Sequence, residues 1–291
     1  MRRLYFTADI DRDVNIQIPG QAAAGSLDRG SGTAPRFSSS EDGLGVLLDI
    51  LDEAGIRGTL FFEGRTAESV DCSRASGHCI GIHGYDHEDL ATLSDDALQD
   101  AVARSFQAVS DNVGRPVCSR APYMSADGRV IAEFLRHGIV HDSSFYSMPG
   151  EPCGEYPIGG MTEHPVPKAR DPDGRTIAAY LWPMHEGRRR PEDYIRMAES
   201  IDGPMVLADH SWHLAETREG GVMSLEKRDS DRRDVLAVIE GILDLGFEPA
   251  ALTRRTSCRT SATVRGPSRR GTRQAPSPGP RPGPRTSRRC A

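Results

Sequence analysis

The sequence predicts an α/β fold, a parallel barrel that need not be complete, followed by a tail, and three observations predict it. Short apolar runs alternate with amphipathic segments from Leu4 to Leu252, each run ends in a polar residue fit for chemistry, and the composition changes abruptly at Thr253. The chain has 291 residues, and barrels of this kind commonly use about 200 to 250 as one unit. Residues 1–252 therefore read as one domain and residues 253–291 as a disordered extension.

Taken in order, Leu4 to Ala8 reads as a buried strand, followed by a long Gly/Ser-rich loop. Ser40 can cap a helix in which Leu44, Leu47, Leu48 and Leu51 share one face and Gly55 closes the last turn. Gly58 to Phe62 and Cys79 to Ile82 are the second and third strands, and Ser94 can cap a helix running through Val109 to Gly114. Val117 to Arg120 is a fourth strand, Gly128 to Arg136 a helix, and Ile139 to His141 a short strand. A Pro- and Gly-rich stretch reaching about Asp173 reads as irregular. Thr176 to Trp182 and Pro204 to Asp209 are strands, and Pro191 opens the helix between them. Asp231 to Leu245 is a helix and Phe247 to Leu252 the last strand. Seven or eight β/α units result. No fixed-period repeat argues for a solenoid, and no Gly-x-Gly-x-x-Gly turn after the first strand argues for an open doubly wound sheet.

Charge separates the two parts. The tail holds eleven arginines and no acid, whereas residues 1–252 carry 25 basic against 42 acidic side chains, a formal charge of −17. Such a body repels nucleic acid. The tail cannot form a core. Six cysteines at irregular spacings (Cys72, Cys79, Cys118, Cys153, Cys258, Cys290) read as reduced thiols. Met1-Arg2-Arg3 runs straight into a strand, and no run of 18 apolar residues occurs, so the expectation is a cytoplasmic protein without a transmembrane segment. Nothing in the sequence fixes an oligomeric state.

The most informative stretch is Gly77 to Leu90, Gly-His-Cys-Ile-Gly-Ile-His-Gly-Tyr-Asp-His-Glu-Asp-Leu, which delivers His83 and His87 from the end of an apolar strand. Two imbedded imidazoles can hold a divalent cation. With nine histidines in the chain such a spacing also arises by chance, so the other strand ends must decide. They offer Asp9 and Asp11, Arg120 in Arg-Ala-Pro-Tyr, Asp142 in His-Asp-Ser-Ser, and His210 in Leu-Ala-Asp-His. Reacting groups at the C-terminal ends of strands are the barrel pattern.

This ordered set resembles the polysaccharide deacetylase family, the NodB-homology domains, over roughly Leu4 to Leu252. The resemblance implies a distorted or incomplete (β/α)7 barrel, a divalent metal, and hydrolysis of N-acetyl groups. The first motif, Asp9-Ile10-Asp11, departs from the family's commoner pair of adjacent aspartates. It is similar to the branch that is cytoplasmic and often acts on non-polymeric amides. Position by position, the resemblance implies Asp11, His83 and His87 as metal ligands, with zinc, cobalt, nickel or manganese all satisfied by two nitrogens and one oxygen. It implies Asp9 as general base, Arg120 as the partner that keeps Asp9 ionised, and His210 as the general acid that protonates the leaving nitrogen. Asp142 would hydrogen-bond His210, and the backbone N–H of Tyr123 would help to hold the oxyanion. His213 is an alternative acid, and His78, His141, His164 and His185 read as packing or surface residues.

The expected activity is metal-dependent hydrolysis of a non-peptide carbon–nitrogen bond, with a small-molecule or glycan amide such as an N-acetylated amino sugar as substrate. The alternatives are a non-sugar amidase or cyclic imide or ureide hydrolase, and a non-catalytic metal- or glycan-binding protein. The loop from Asp13 to Ser39 could form a lid with Arg29 or Arg36 toward an acidic substrate group. Phe145, Tyr146, Trp182 and Trp212 could wall the pocket.

Overall fold

The apolar runs become strands covered on both faces. In a computed structural model describing residues 1–12, 37–217 and 221–252, the order begins β1 (Arg3–Ile10), α1 (Ser38–Glu53), β2 (Thr59–Phe62), α2 (Gly64–Ser69), β3 (Cys79–Ile82), α3 (Asp95–Asn112), β4 (Cys118–Ser119) and α4 (Gly128–Arg136). It continues with β5 (His141–Asp142), β6 (Tyr146–Ser147), β7 (Tyr156–Ile158), β8 (Met161–Glu163), β9 (Val166–Arg170), β10 (Thr176–Ala178), α5 (Trp182–His185) and α6 (Pro191–Glu199). Last come β11 (Met205–His210), β12 (Glu216–Thr217), β13 (Gly221–Val222), α7 (Leu225–Asp244) and β14 (Glu248–Ala250). Every residue of β2 and β3 is buried, as parallel strands between helices require.

The main sheet runs β11-β1-β2-β3-β4-β5-β8-β7, with β14 beside the start of β1, and only β7 is antiparallel to its neighbour. A second sheet, β10-β9-β6, reaches back toward β11 through the Tyr180–Ala208 bridge, so the wall curls into a distorted, incomplete (β/α) barrel. The register does the functional work. Asp9 lies level with His210, Phe62 with Ile82, Ile82 with Ser119, Ser119 with Asp142, and Asp142 with Glu163. The C-terminal ends of seven strands are thereby aligned at one mouth.

Several expectations need correcting. The stretch after Asp142, expected to be irregular, contains β6 to β9; their residues alternate poorly in hydropathy because they are short and half-exposed. Trp182 does not end a strand but starts α5, where Pro183 suits the first turn. Ser40 does not cap α1: the N-cap is Phe37, and the Ser40 hydroxyl donates to the Asp11 carbonyl at 2.6 Å instead. Helix α7 starts at Leu225, six residues before the expected start, because Ser224 accepts from the Lys227 N–H and caps it there. Ser94 caps α3 in the same manner, as expected. Chain contacts divide Met1–Arg254 from Arg255–Ala291. The second unit, Cys258 and Cys290 with it, and the lid segment with Arg29 and Arg36 lie outside the described residues. No helix among the described residues is long and apolar enough to cross a membrane.

Candidate active site

Asp11 follows the last residue of β1, His83 follows β3, and His87 stands four residues further along the loop. One ligand atom from each lies within 4.8 Å of the others, and all three side chains are buried. His83 donates from Nδ1 to the Arg120 carbonyl at 2.9 Å in the tautomer that leaves Nε2 unprotonated, and Nε2 faces Asp11 Oδ2 at 3.8 Å. Burial lowers the His83 pKa to about 4, so the ring is a neutral ligand. His87 Nε2 is 3.3 Å from the same oxygen, and the backbone at His87 takes a left-handed φ of 53° to bring it there.

The test of whether a cation fits is Asp11. Its carboxylate is fully buried, and no hydrogen bond of ordinary geometry reaches either oxygen. Burial pushes its pKa up to about 6, only partly opposed by His87. A buried carboxylate without donors is costly unless a positive charge completes it. One carboxylate and two imidazoles match the donor set of a catalytic zinc-type site. The residues therefore fit a divalent metal.

Asp9 lies beside this cluster and is tied from two sides. Arg120 Nη1 donates to Oδ1 at 2.9 Å, and the Tyr180 hydroxyl donates to Oδ2. Burial would raise the Asp9 pKa, but Arg120, then His83 and His210, and the Tyr180 hydroxyl reverse this and hold it at about 2. Arg120 is itself fixed by the Thr7 hydroxyl and by the carbonyl and hydroxyl of Ser143, at 2.9 to 3.0 Å. His210 Nε2 is 3.9 Å from Asp9 Oδ2, its ring stacks on Tyr180 at 4.8 Å, and its side chain keeps 16% of its surface exposed. Tyr123, in a turn with φ of 61°, sets its ring against His87 at 4.6 Å.

Residues 31–141 match the family model for polysaccharide deacetylase. Over those residues the chain resembles the polysaccharide deacetylase family. It is 30% identical over 152 residues to a peptidoglycan deacetylase-like protein of Gibberella zeae, covering 49% of this chain and 44% of that protein. Against a chitin deacetylase of Colletotrichum lindemuthianum it is 34% identical over 92 residues, 28% of this chain and 37% of the other. The matches span less than half the length of these curated relatives. Two solved structures share the fold: a Mycobacterium smegmatis protein assigned to the polysaccharide deacetylases and a family 4 carbohydrate esterase from Streptomyces lividans in complex with acetate. Their TM-scores are 0.54 and 0.51 at 22% and 13% identity, each covering 87% of this chain and 94% of the other.

Two sequence-based assignments fail on geometry. Asp142 does not bond His210, because β5 and β11 are far apart in the sheet order. It accepts instead from the Ser119 hydroxyl at 2.6 Å and from the Ser144 hydroxyl and N–H, and it shares a buried acid pair with Glu163. Burial, then the Asp142 charge, raises Glu163 to about 10, so that pair holds a proton. Trp212 is not part of the lining of the cavity that Tyr146 and Trp182 share: it is fully buried and stacks on His213 at 3.6 Å. His213, also buried, has Nε2 3.4 Å from Glu186, whereas His210 keeps an exposed edge for a substrate. Phe145 is a half-buried core neighbour, while Tyr146 and Trp182 do line a cavity. Cys72 and Cys79 are buried thiols away from the triad; the Cys79 thiol donates to the Leu252 carbonyl at 2.7 Å.

Three groups escaped the sequence reading. Tyr180 was hidden inside an expected strand, and only its position near that strand's C-terminal end hinted at the site. His185, read as packing, is buried with Nε2 3.0 Å from Asp209 and Nδ1 3.3 Å from Asp231; Asp209 also accepts the His210 backbone N–H at 2.9 Å. Burial would lower the His185 pKa, but Asp209 and Asp231 raise it to about 9. Arg12, directly after Asp11, bonds Glu63 and Asp86 and so ties the end of β1 to the residue before His87.

Proposed function

We propose that the chain is a metal-dependent hydrolase of amide bonds that removes an acetyl group from an N-acetylated amino sugar or glycan precursor. The observation that carries this is the convergence of Asp11, His83 and His87 on one buried point, with a carboxylate that lacks hydrogen-bond donors. A divalent cation held there would supply Lewis acidity to water and to the amide oxygen. Asp9, ionised by its contact with Arg120, takes the proton from the attacking water as its oxygen bonds to the carbonyl carbon. His210, within 3.9 Å of Asp9, gives its proton to the nitrogen as the carbon–nitrogen bond breaks, and acetate and a free amine result. The turn at Tyr123 would present its N–H to the oxyanion.

The relatives named as chitin and peptidoglycan deacetylases support a glycan substrate. The deciding experiment is acetate release from N-acetylglucosamine oligomers beside a panel of cyclic imides and ureides, with zinc, cobalt, nickel and manganese each supplied. Release from the oligomers is the expected result. Turnover of imides alone would overturn the sugar reading.

A further inference from the structure

A cavity of about 930 Å³ opens between the β6-β9-β10 sheet and the segment running from α5 into α6. Tyr180, the residue that donates to Asp9, forms part of its wall. Six basic and three acidic side chains line it, inside a body whose formal charge is −17. The acids are already matched: Asp171 with Arg189 at 2.7 Å, Asp193 with Arg196 at 3.7 Å, and Asp173 with Arg175 at 3.8 Å. The surplus is positive.

Lys168 is the sharpest part of that surplus. It is one of two lysines in the chain, half-buried, and no carboxylate among the described residues lies within ion-pair distance of it. Its Nζ rests on the Tyr146 ring at 3.8 Å, and burial lowers its pKa. Tyr146 in turn lies within electrostatic reach of Arg120 and Asp9. A ring face satisfies an ammonium only in part, and a charge withdrawn from water is best completed by an anion. Trp182, across the same cavity, offers the flat apolar surface on which a sugar ring packs.

We infer that this cavity is a subsite for an oxyanion, carboxylate or phosphate, borne by the substrate beside its scissile amide, with Lys168 as the counter-ion. The inference rests on the amide-hydrolase reading for the word substrate, but its test does not. Binding to the full-length protein is measured by calorimetry with four probes: N-acetylglucosamine, N-acetylmuramic acid, N-acetylglucosamine 6-phosphate and acetate. At least one of the two sugar acids binds tenfold or more tighter than N-acetylglucosamine, and the preference weakens with salt. It collapses to about onefold in Lys168→Met and survives in Lys168→Arg. The muramic acid and phosphate arms tell a carboxylate site from a phosphate site. Equal affinities for acid and neutral sugars, no measurable binding of either acid, acetate binding as tightly as the sugar acids, or a preference unchanged in Lys168→Met would each overturn the proposal. Should Lys168→Met fail to fold, the wild-type ratio and its salt dependence, with Lys168→Gln, decide in its place. Acetate release is scored in parallel. Its absence would sink the hydrolase reading and leave the affinity ratio to judge the subsite.

Discussion

Asp9, near the end of β1, and Asp11, just beyond it, have opposite electrostatics. Asp9 is held at about 2 by Arg120, while burial pushes Asp11 up to about 6, only partly opposed by His87. Their partners differ, Arg120 and Tyr180 at Asp9 against the two imidazoles at Asp11, and the difference predicts different mutant behaviour. Asp9→Asn keeps the metal and loses about 10²- to 10⁴-fold in kcat, whereas His83→Ala loses both metal and turnover. Metal content measured beside activity checks this, and an Asp9→Asn enzyme as fast as the parent overturns the base assignment. His185 yields a second prediction. Its folded pKa of about 9 lies above the usual histidine value, so the stability it contributes is complete below about pH 6.5 and is lost as pH rises through about 9. The loss amounts to about 3 kcal/mol. Urea midpoints taken across that window fall in the parent and stay flat in His185→Gln, which is less stable than the parent at the low end of the window because Asp209 and Asp231 lose the charged imidazole between them.

Helix α1 and the turn Ser211–Leu214 meet at Gly43. A Cβ there would sit 1.8 Å from the Ser211 carbonyl oxygen, a backbone atom that cannot rotate away. Gly43→Ala gains about 1 kcal/mol of helix propensity and loses more to the clash, for a net destabilisation of about 1 to 3 kcal/mol. Because the displaced turn begins directly after His210, turnover falls as well. A lowered urea midpoint together with a lowered kcat is the expected outcome, and an unchanged kcat would show that the turn does not position His210. Strand ends behave in the same connected way. Arg12 links the residue after Asp11 to β2's neighbour Glu63 and to Asp86 in the histidine loop, so the two arms of the triad are braced by one guanidinium.

At the scale of the molecule, the chain is tied down as far as Leu252. Leu252 donates its N–H to the Thr59 hydroxyl at 3.0 Å and accepts from the Cys79 thiol, so the chain is anchored to β2 and β3 up to that residue. Truncation after Leu252 removes eleven arginines, moving the formal charge from −6 to −17. The expected result is an unchanged melting temperature and unchanged kcat, with electrophoretic mobility shifted toward the anode. A fall in stability on truncation would show that the basic segment braces the acidic body.

Local chemistry determined much of this protein in the sequence itself. Apolar runs over β1, β2, β3 and β11 had to be buried strands, and the polar residue at the end of each had to emerge at the barrel mouth, which is why Asp9, Asp11, His83, Arg120 and His210 were legible before any coordinates. Ser94 and Gly55 marked helix ends because capping and positive φ depend on single residue types. What only the tertiary structure decided were partnerships between segments far apart in the chain. Tyr180 meets Asp9 across 171 residues, His185 bonds two aspartates from two other elements, and Asp142 turns to Ser119 and Glu163 instead of His210. Lys168 acquires its setting only when β6, β9, β10 and α5 enclose one cavity. Sequence periodicity reports which face of an element is covered; strand order and register choose what covers it, and those choices are set by packing across the whole sheet.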